Sequence, residues 1–160
     1  MQIELSKKQF KSLLKVVYLG NWMANAHRDG SAKDPHVEEY EEIEDYIFSY
    51  AKQFGFDEYL DDEDADEGKF FPTRLFEEET GVNELHDEYN EETFWVELID
   101  RLGERDFVRH HGIEAIRKMD SDEAYEKRWN FIEKWDKEVC ENGLDNIGII
   151  CNEKAEKLIK

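Results

Sequence analysis

The chain has 160 residues, of which 39% are hydrophobic and 39% charged, and its formal net charge at neutral pH is −20. This length suits one domain with its own apolar core, and the share of bulky side chains excludes a wholly disordered chain. The negative charge opposes binding to nucleic-acid phosphate or an anionic membrane, and no apolar run approaches the ~20 residues of a membrane span. We therefore expect one domain over residues 1–160, with neither nucleic acid nor membrane as a partner.

Composition also predicts the fold class and the compartment. Only two prolines and nine glycines interrupt a chain rich in helix-forming Glu, Lys and Leu. We predict an all-α, irregular multi-helix bundle of about five to seven helices around a central N-terminal helix. Cys140 and Cys151 lack zinc-site spacing, and residues 1–12 lack a secretory pattern, which indicates the cytoplasm. We expect a bacterial protein.

The first predicted helix begins at Ser6. Ser6 and Gln9 have the capping-box spacing, in which each side chain accepts a hydrogen bond from the other residue's backbone N–H. Turn-forming residues from 27 to 33 should end the helix. Its apolar positions nearly encircle the cylinder, which indicates a largely buried helix. They are Phe10, Leu13, Leu14, Val16, Val17, Tyr18, Leu19, Trp22 and Met23.

The second predicted helix runs from Asp34 to Gly55. Asp34 followed by Pro35 is typical of an N-cap and a first helical residue, and Gly55 is typical of a left-handed terminator. Its apolar positions recur every three or four residues and should form the packed face. They are Val37, Tyr40, Ile43, Ile47, Ala51 and Phe54.

An acidic segment follows the second helix. Residues 57–68 hold eight carboxylates and no basic residue. Because such a density of like charge repels itself and opposes a compact helix, we predict a mobile loop. A short helix is expected from Arg74 to Gly81, with a further turn over residues 82–89.

The last third contains further predicted helices. Asn90 should cap a helix that ends at residues 110–112, and a short helix should follow over residues 113–119. Asp120 and Glu123 have capping-box spacing and should begin a long helix ending at Gly143. Its core stripe would be Tyr125, Trp129, Ile132 and Val139. Cys140 and Cys151 have apolar neighbours and should be inert core thiols. Residues 147–151 suit either a helix or a short strand, and the tail to Lys160 has helical spacing.

The charge is strongly uneven along the chain. Residues 1–33 carry +4, residues 34–100 carry −22, and residues 101–160 carry −2. Such a field steers cationic partners, so we expect a non-enzymatic helical interaction protein that binds a basic protein. An immunity-type inhibitor or a nucleic-acid mimic would be a concrete form. The acidic face could instead serve solubility alone, and both monomer and homodimer remain open.

A polar stripe on the first helix is the candidate ligand pocket. Asn21, Asn25 and Arg28 are spaced i, i+4 and i+7 and therefore share one helical face. Inward amides and a guanidinium need partners, because an unpaired buried polar group costs roughly 1–3 kcal/mol. They either bond to neighbouring helices, which is the commoner outcome, or line a pocket. The candidate pocket residues are Tyr18, Asn21, Trp22, Asn25 and Arg28.

Two carboxylate motifs suggest an alternative function. An EExxE pattern and an ExxD pattern resemble the magnesium-binding motifs of the all-α, MazG-like nucleoside triphosphate pyrophosphohydrolases. The carboxylates concerned are Glu38, Glu39, Glu42, Glu97 and Asp100. The resemblance implies a magnesium-dependent hydrolase acting on phosphate-bearing metabolites, whereas the interaction protein needs no cofactor. The gap between the two motifs is much longer here than in that family.

Overall fold

The computed structural model describes residues 3–61 and 63–148, and it confirms an all-α multi-helix fold. The α-helices in this part of the chain are α1 (Lys7–Asn25), α2 (Glu38–Phe48), α3 (Arg74–Thr80), α4 (Val82–His111), α5 (Ile113–Ile116) and α6 (Ser121–Asn142). One small antiparallel ladder joins β1 (Leu60–Asp61) to β2 (Phe71–Pro72). The chain divides into two compact units, Met1–Glu88 and Tyr89–Lys160. Whether both belong to a single domain stays a prediction.

Helix α1 begins as predicted. The Ser6 backbone N–H donates to Gln9 Oε1 at 2.9 Å, and the Gln9 N–H donates to Ser6 Oγ at 3.3 Å. This reciprocal pair satisfies donors that have no partner inside the helix. The prediction of apolar burial all round the helix was wrong in part, because Val16 and Met23 are exposed. Their exposure shows that α1 packs along one broad face.

Helix α2 starts later than predicted. Asp34 does not cap it, because its carboxylate accepts from Arg28 Nη1 at 3.2 Å and its own N–H donates to Ser31 O at 3.1 Å. These contacts hold Asp34 in the turn before the helix, and the N-cap is Val37. Gly55 is left-handed as predicted, with φ of 69°, but it ends a separate 3₁₀ turn over Ala51–Phe54.

The packed face of α2 also differs from the prediction. Tyr40 and Ile43 are exposed, whereas Glu44 and Phe48 are buried. The inward stripe is therefore Glu44, Phe48 and the following Ala51, at helical spacings of four and three residues. Of the predicted positions, Ala51 is buried, and Ile47 and Phe54 pack against the core cluster. A donor on α1 makes the inward carboxyl of Glu44 tolerable.

The acidic segment is better anchored than its charge predicts. Tyr59 and Leu60 are buried in the core of the first unit, and Leu60 pairs with Pro72 in the small ladder. Burial of these two apolar side chains offsets the repulsion among the carboxylates around them. The core cluster of this unit consists of Phe10, Leu14, Phe48, Ala51, Phe56, Tyr59, Leu60, Phe76 and Val82.

Helix α4 is one continuous helix where two elements were predicted. Asn90 lies inside it and caps nothing. No glycine or proline occurs between Val82 and Leu102, and an asparagine in a helix interior costs only a fraction of a kcal/mol. The predicted ends are confirmed: Gly81 ends α3 with φ of 74°, and Gly112 follows α4.

The second unit is built on the pairing of α4 with α6. Asp120 caps α6 by accepting from the backbone N–H groups of Asp122 and Glu123, as predicted. Of the predicted core stripe, Ile132 and Val139 are buried.

The remaining predictions for α6 were wrong or lie outside the described residues. Tyr125 and Trp129, predicted as core residues, are exposed. Cys140 is exposed and so is not a core thiol. The tail was predicted from Ile147 to Lys160; Ile147 and Gly148 lie in neither a helix nor a strand, and Cys151 and the rest of the tail lie outside the described residues. None of the helices in the described part of the chain combines the length and apolarity needed to cross a bilayer.

Glycine at position 103 permits close packing of α4 on α6. A Cβ built there would lie 3.0 Å from the backbone Cα of Ile132 and 2.7 Å from its Cγ1. Contacts that close cannot be relieved without moving α6. A Cβ at Gly20 in α1 would meet only Tyr40 Cδ1, at 3.9 Å.

We predict opposite effects for two glycine-to-alanine changes. Gly103→Ala should lower the free energy of unfolding by roughly 1–3 kcal/mol, because overpacking outweighs the helix propensity of alanine. Gly20→Ala should raise it by about 0.5–1 kcal/mol through propensity alone. Urea denaturation followed by circular dichroism measures both, and equal stabilisation by the two changes would contradict the close packing.

Candidate functional site

The predicted polar stripe of α1 is bonded to α2 and to the turn before it. Asn21 Nδ2 donates to Glu44 Oε2. Asn25 Nδ2 donates to Asn21 Oδ1 at 2.7 Å, and Asn25 Oδ1 accepts the Val37 backbone N–H at 2.8 Å. Asn25 therefore satisfies the N-cap residue of α2, which has no side-chain cap of its own. We call this set of bonds the amide ladder.

Arg28 lies at the end of the same stripe. Its Nε donates to Ala24 O at 3.0 Å, and its Nη1 donates to Asp34 Oδ1 at 3.2 Å. The guanidinium thus closes the turn between α1 and α2. That these side chains also bind a small molecule stays a prediction.

Glu44 is the residue of this network that the sequence did not reveal. It is 8% exposed, and burial raises its pKa from 4.5 to about 7, with Asp45 and Glu41 adding repulsion and the Asn21 bond acting in the opposite direction. The sequence does contain a signal for its burial, because Phe48 and Ala51 lie four and seven residues after Glu44 and therefore share its helical face. The signal is hard to recognise, because Glu44 stands in a run of glutamates that are typical of an exposed face.

Tyr18 and Trp22 meet two half-buried polar residues, Glu77 and His86. Tyr18 Oη donates to Glu77 Oε1 at 2.8 Å, and burial together with this carboxylate raises the pKa of Tyr18. The imidazole of His86 stacks on Trp22 at a centroid distance of 4.0 Å and on Tyr18 at 5.6 Å. Burial lowers the pKa of His86, and its Nε2 has no hydrogen-bond partner among the described residues. The sequence did not predict that Glu77 and His86 would join Tyr18 and Trp22.

The carboxylates of the alternative metal site are distributed over two helices. Three are exposed on α2: Glu38, Glu39 and Glu42. On α4, Glu97 accepts from Arg101 at 2.9 Å, and Asp100 lies 3.7 Å from Arg128. Among residues 3–61 and 63–148, no three histidine, cysteine or acidic side chains are arranged to hold a metal ion.

A groove of about 410 Å³ runs along the outer side of α2. One wall is a stripe of α2 and its C-cap at spacings i, i+3, i+4 and i+7, and the other is the chain entering β2. We call it the α2 groove. Its lining residues are Glu42, Asp45, Tyr46, Ser49, Glu67, Gly68, Lys69 and Phe70. The sequence did not predict it, because its second wall comes from the distant acidic segment.

Comparison with known proteins gives no relative. No protein-family model, curated protein or solved structure matches this chain. The resemblance of the two carboxylate motifs to the pyrophosphohydrolases stays a prediction.

We predict that Glu44→Gln changes the pH dependence of stability. Because the folded pKa of about 7 exceeds the unfolded value of 4.5, the folded chain holds a proton that the unfolded chain releases, and stability falls as pH rises through this window. Glutamine keeps an acceptor for Asn21 and cannot ionise. At pH 8 the free energy of unfolding of the variant should exceed that of the wild type by roughly 1–3 kcal/mol, and this difference should shrink towards pH 5.5.

The matched control is Glu39→Gln, an exposed glutamate on the same helix. Urea denaturation at pH 5.5, 6.5 and 8 should give Glu39→Gln no comparable pH-dependent change in the free energy of unfolding. If Glu44→Gln and the wild type differ in this free energy by the same amount at all three pH values, the raised pKa of Glu44 is contradicted.

Proposed function

We propose that this chain is a non-enzymatic helical interaction module of the cytoplasm that binds a basic partner protein. The distribution of charge supports this proposal. Residues 1–88 contain nine basic and 23 acidic residues, a net charge of −14, whereas residues 89–160 carry −6. A field of one sign raises the encounter rate with partners of the opposite sign and repels those of the same sign.

The observation that carries the proposal is the anchored acidic segment. Between residues 53 and 68 there is no lysine or arginine. The described carboxylates of this segment are exposed: Asp57, Glu58, Asp61, Glu63, Asp64, Asp66 and Glu67. Tyr59 and Leu60 hold the segment on the core, so these charges form a surface attached to the fold. Charges held in place lose less conformational entropy on binding than charges on a free tail.

An inhibitor or immunity protein is the concrete form that we favour, with a partner that itself binds nucleic acid. Carboxylates on an attached surface can occupy a cationic site that otherwise receives phosphates. If so, double-stranded DNA and this chain should compete for the same partner.

We predict salt-sensitive binding that depends on the acidic segment. The full chain, immobilised, should capture a basic protein at 50 mM salt and release it at 300 mM. A fourfold neutralised variant, Asp57→Asn, Glu58→Gln, Glu63→Gln and Asp66→Asn, should bind that purified partner roughly tenfold or more weakly, since each exposed pair contributes about 0.2–1 kcal/mol.

The control carries the same charge change in the second unit. It combines Glu92→Gln, Glu126→Gln, Glu133→Gln and Asp136→Asn, all exposed. Retained affinity in this variant shows that the acidic segment is the contact. Equal losses in both variants, or capture that does not depend on salt, would overturn the proposal and leave solubility as the role of the charge.

A further inference from the structure

The α2 groove has preformed walls. The Phe70 backbone N–H donates to Asp45 Oδ1 at 2.8 Å, which ties the chain before β2 to α2, and the Phe70 side chain packs against the core cluster. A groove fixed by a hydrogen bond and by core packing requires little ordering when a ligand enters.

An exposed aromatic side chain forms part of the groove. Tyr46 is 57% exposed, yet its ring is held by an edge contact with Tyr50 at a centroid distance of 5.2 Å. The Tyr50 hydroxyl also donates to the Tyr46 hydroxyl at 3.1 Å. Partly fixed, solvent-exposed tyrosines are enriched at protein interfaces, because they bury a large area at low entropic cost.

The charges of the lining residues determine what the groove can accept. Glu42, Asp45 and Glu67 are acidic, and Lys69 is the basic residue among the eight. A cation that also stacks on a tyrosine ring suits this lining. Arginine fits better than lysine, because its planar guanidinium stacks on aromatic faces and donates in a fork to carboxylates.

We propose that the α2 groove is the docking site for an arginine-bearing segment of the basic partner. The guanidinium stacks on Tyr46 and donates to Glu42 or Glu67 at the sides of the groove. This inference rests on the proposed function and locates its contact. Lys69 repels the incoming cation, so its removal strengthens binding.

The test uses two short probes with the full chain, acetyl-Arg-Gly-Arg-amide and acetyl-Lys-Gly-Lys-amide. Amide chemical shifts of the labelled protein are followed during titration. The arginine probe should first shift the amide signals of residues 42–49 and 67–70, and it should bind more tightly than the lysine probe. Tyr46→Ala should weaken binding of the arginine probe roughly three- to fivefold, and Glu42→Gln should weaken it roughly two- to fivefold.

Three further variants distinguish the groove from general attraction. Tyr46→Phe keeps the ring and should retain most of the binding. Lys69→Gln should strengthen it about twofold, since one exposed charge contributes little. Glu92→Gln makes the same charge change as Glu42→Gln in the second unit and should leave binding unaltered.

The outcomes separate this inference from the proposed function. If the probe binds but its shifts lie outside residues 42–49 and 67–70, or Tyr46→Ala binds as tightly as the wild type, the groove is not the docking site. Salt-sensitive capture of a basic protein would then still support the interaction module. Absence of any salt-sensitive capture by the full chain overturns both.

Discussion

The amide ladder between α1 and α2 is the contact on which the first unit depends. Asn25 satisfies the backbone N–H of Val37, and Asn21 satisfies the buried carboxyl of Glu44. Without these amides, a helix as acidic as α2 would leave a carboxyl and an N–H unpaired against apolar α1, at roughly 1–3 kcal/mol each. The ladder, together with the burial of Phe48 and Ala51, sets which face of α2 points inward.

The same contact determines the outer surface. Residues two positions apart in a helix point to nearly opposite sides, so turning Glu44 inward directs Glu42 and Tyr46 outward. The stripe that lines the α2 groove is thus a consequence of the inward stripe of Glu44, Phe48 and Ala51. The hydrogen bond from Phe70 to Asp45 then brings the second wall into place. The buried face of α2 stabilises the first unit, and its exposed face forms a wall of the proposed binding groove.

Charge acts in two ways in this protein. Exposed carboxylates of the acidic segment raise solubility and, under the proposed function, attract the basic partner, but their mutual repulsion opposes compaction. Tyr59 and Leu60 offset that repulsion locally by burial. Glu44 reduces it differently, because a carboxyl with a pKa of about 7 is partly protonated near neutrality and adds less negative charge to α2.

Sequence alone predicted those features that depend on neighbouring residues. The caps at Ser6 and Asp120, the left-handed Gly55 and the end of α3 at Gly81 follow from backbone geometry within one turn. The three- and four-residue spacing of apolar side chains predicted the all-α class. Tertiary structure decided which side chains of each helix are buried. Glu44 is tolerable inside only where Asn21 reaches it, and Trp129 is exposed although it shares helical spacing with the buried Ile132. Tertiary structure also decided that residues 67–70 lie beside α2, since contacts between segments distant in the chain depend on shape complementarity that local patterns do not encode.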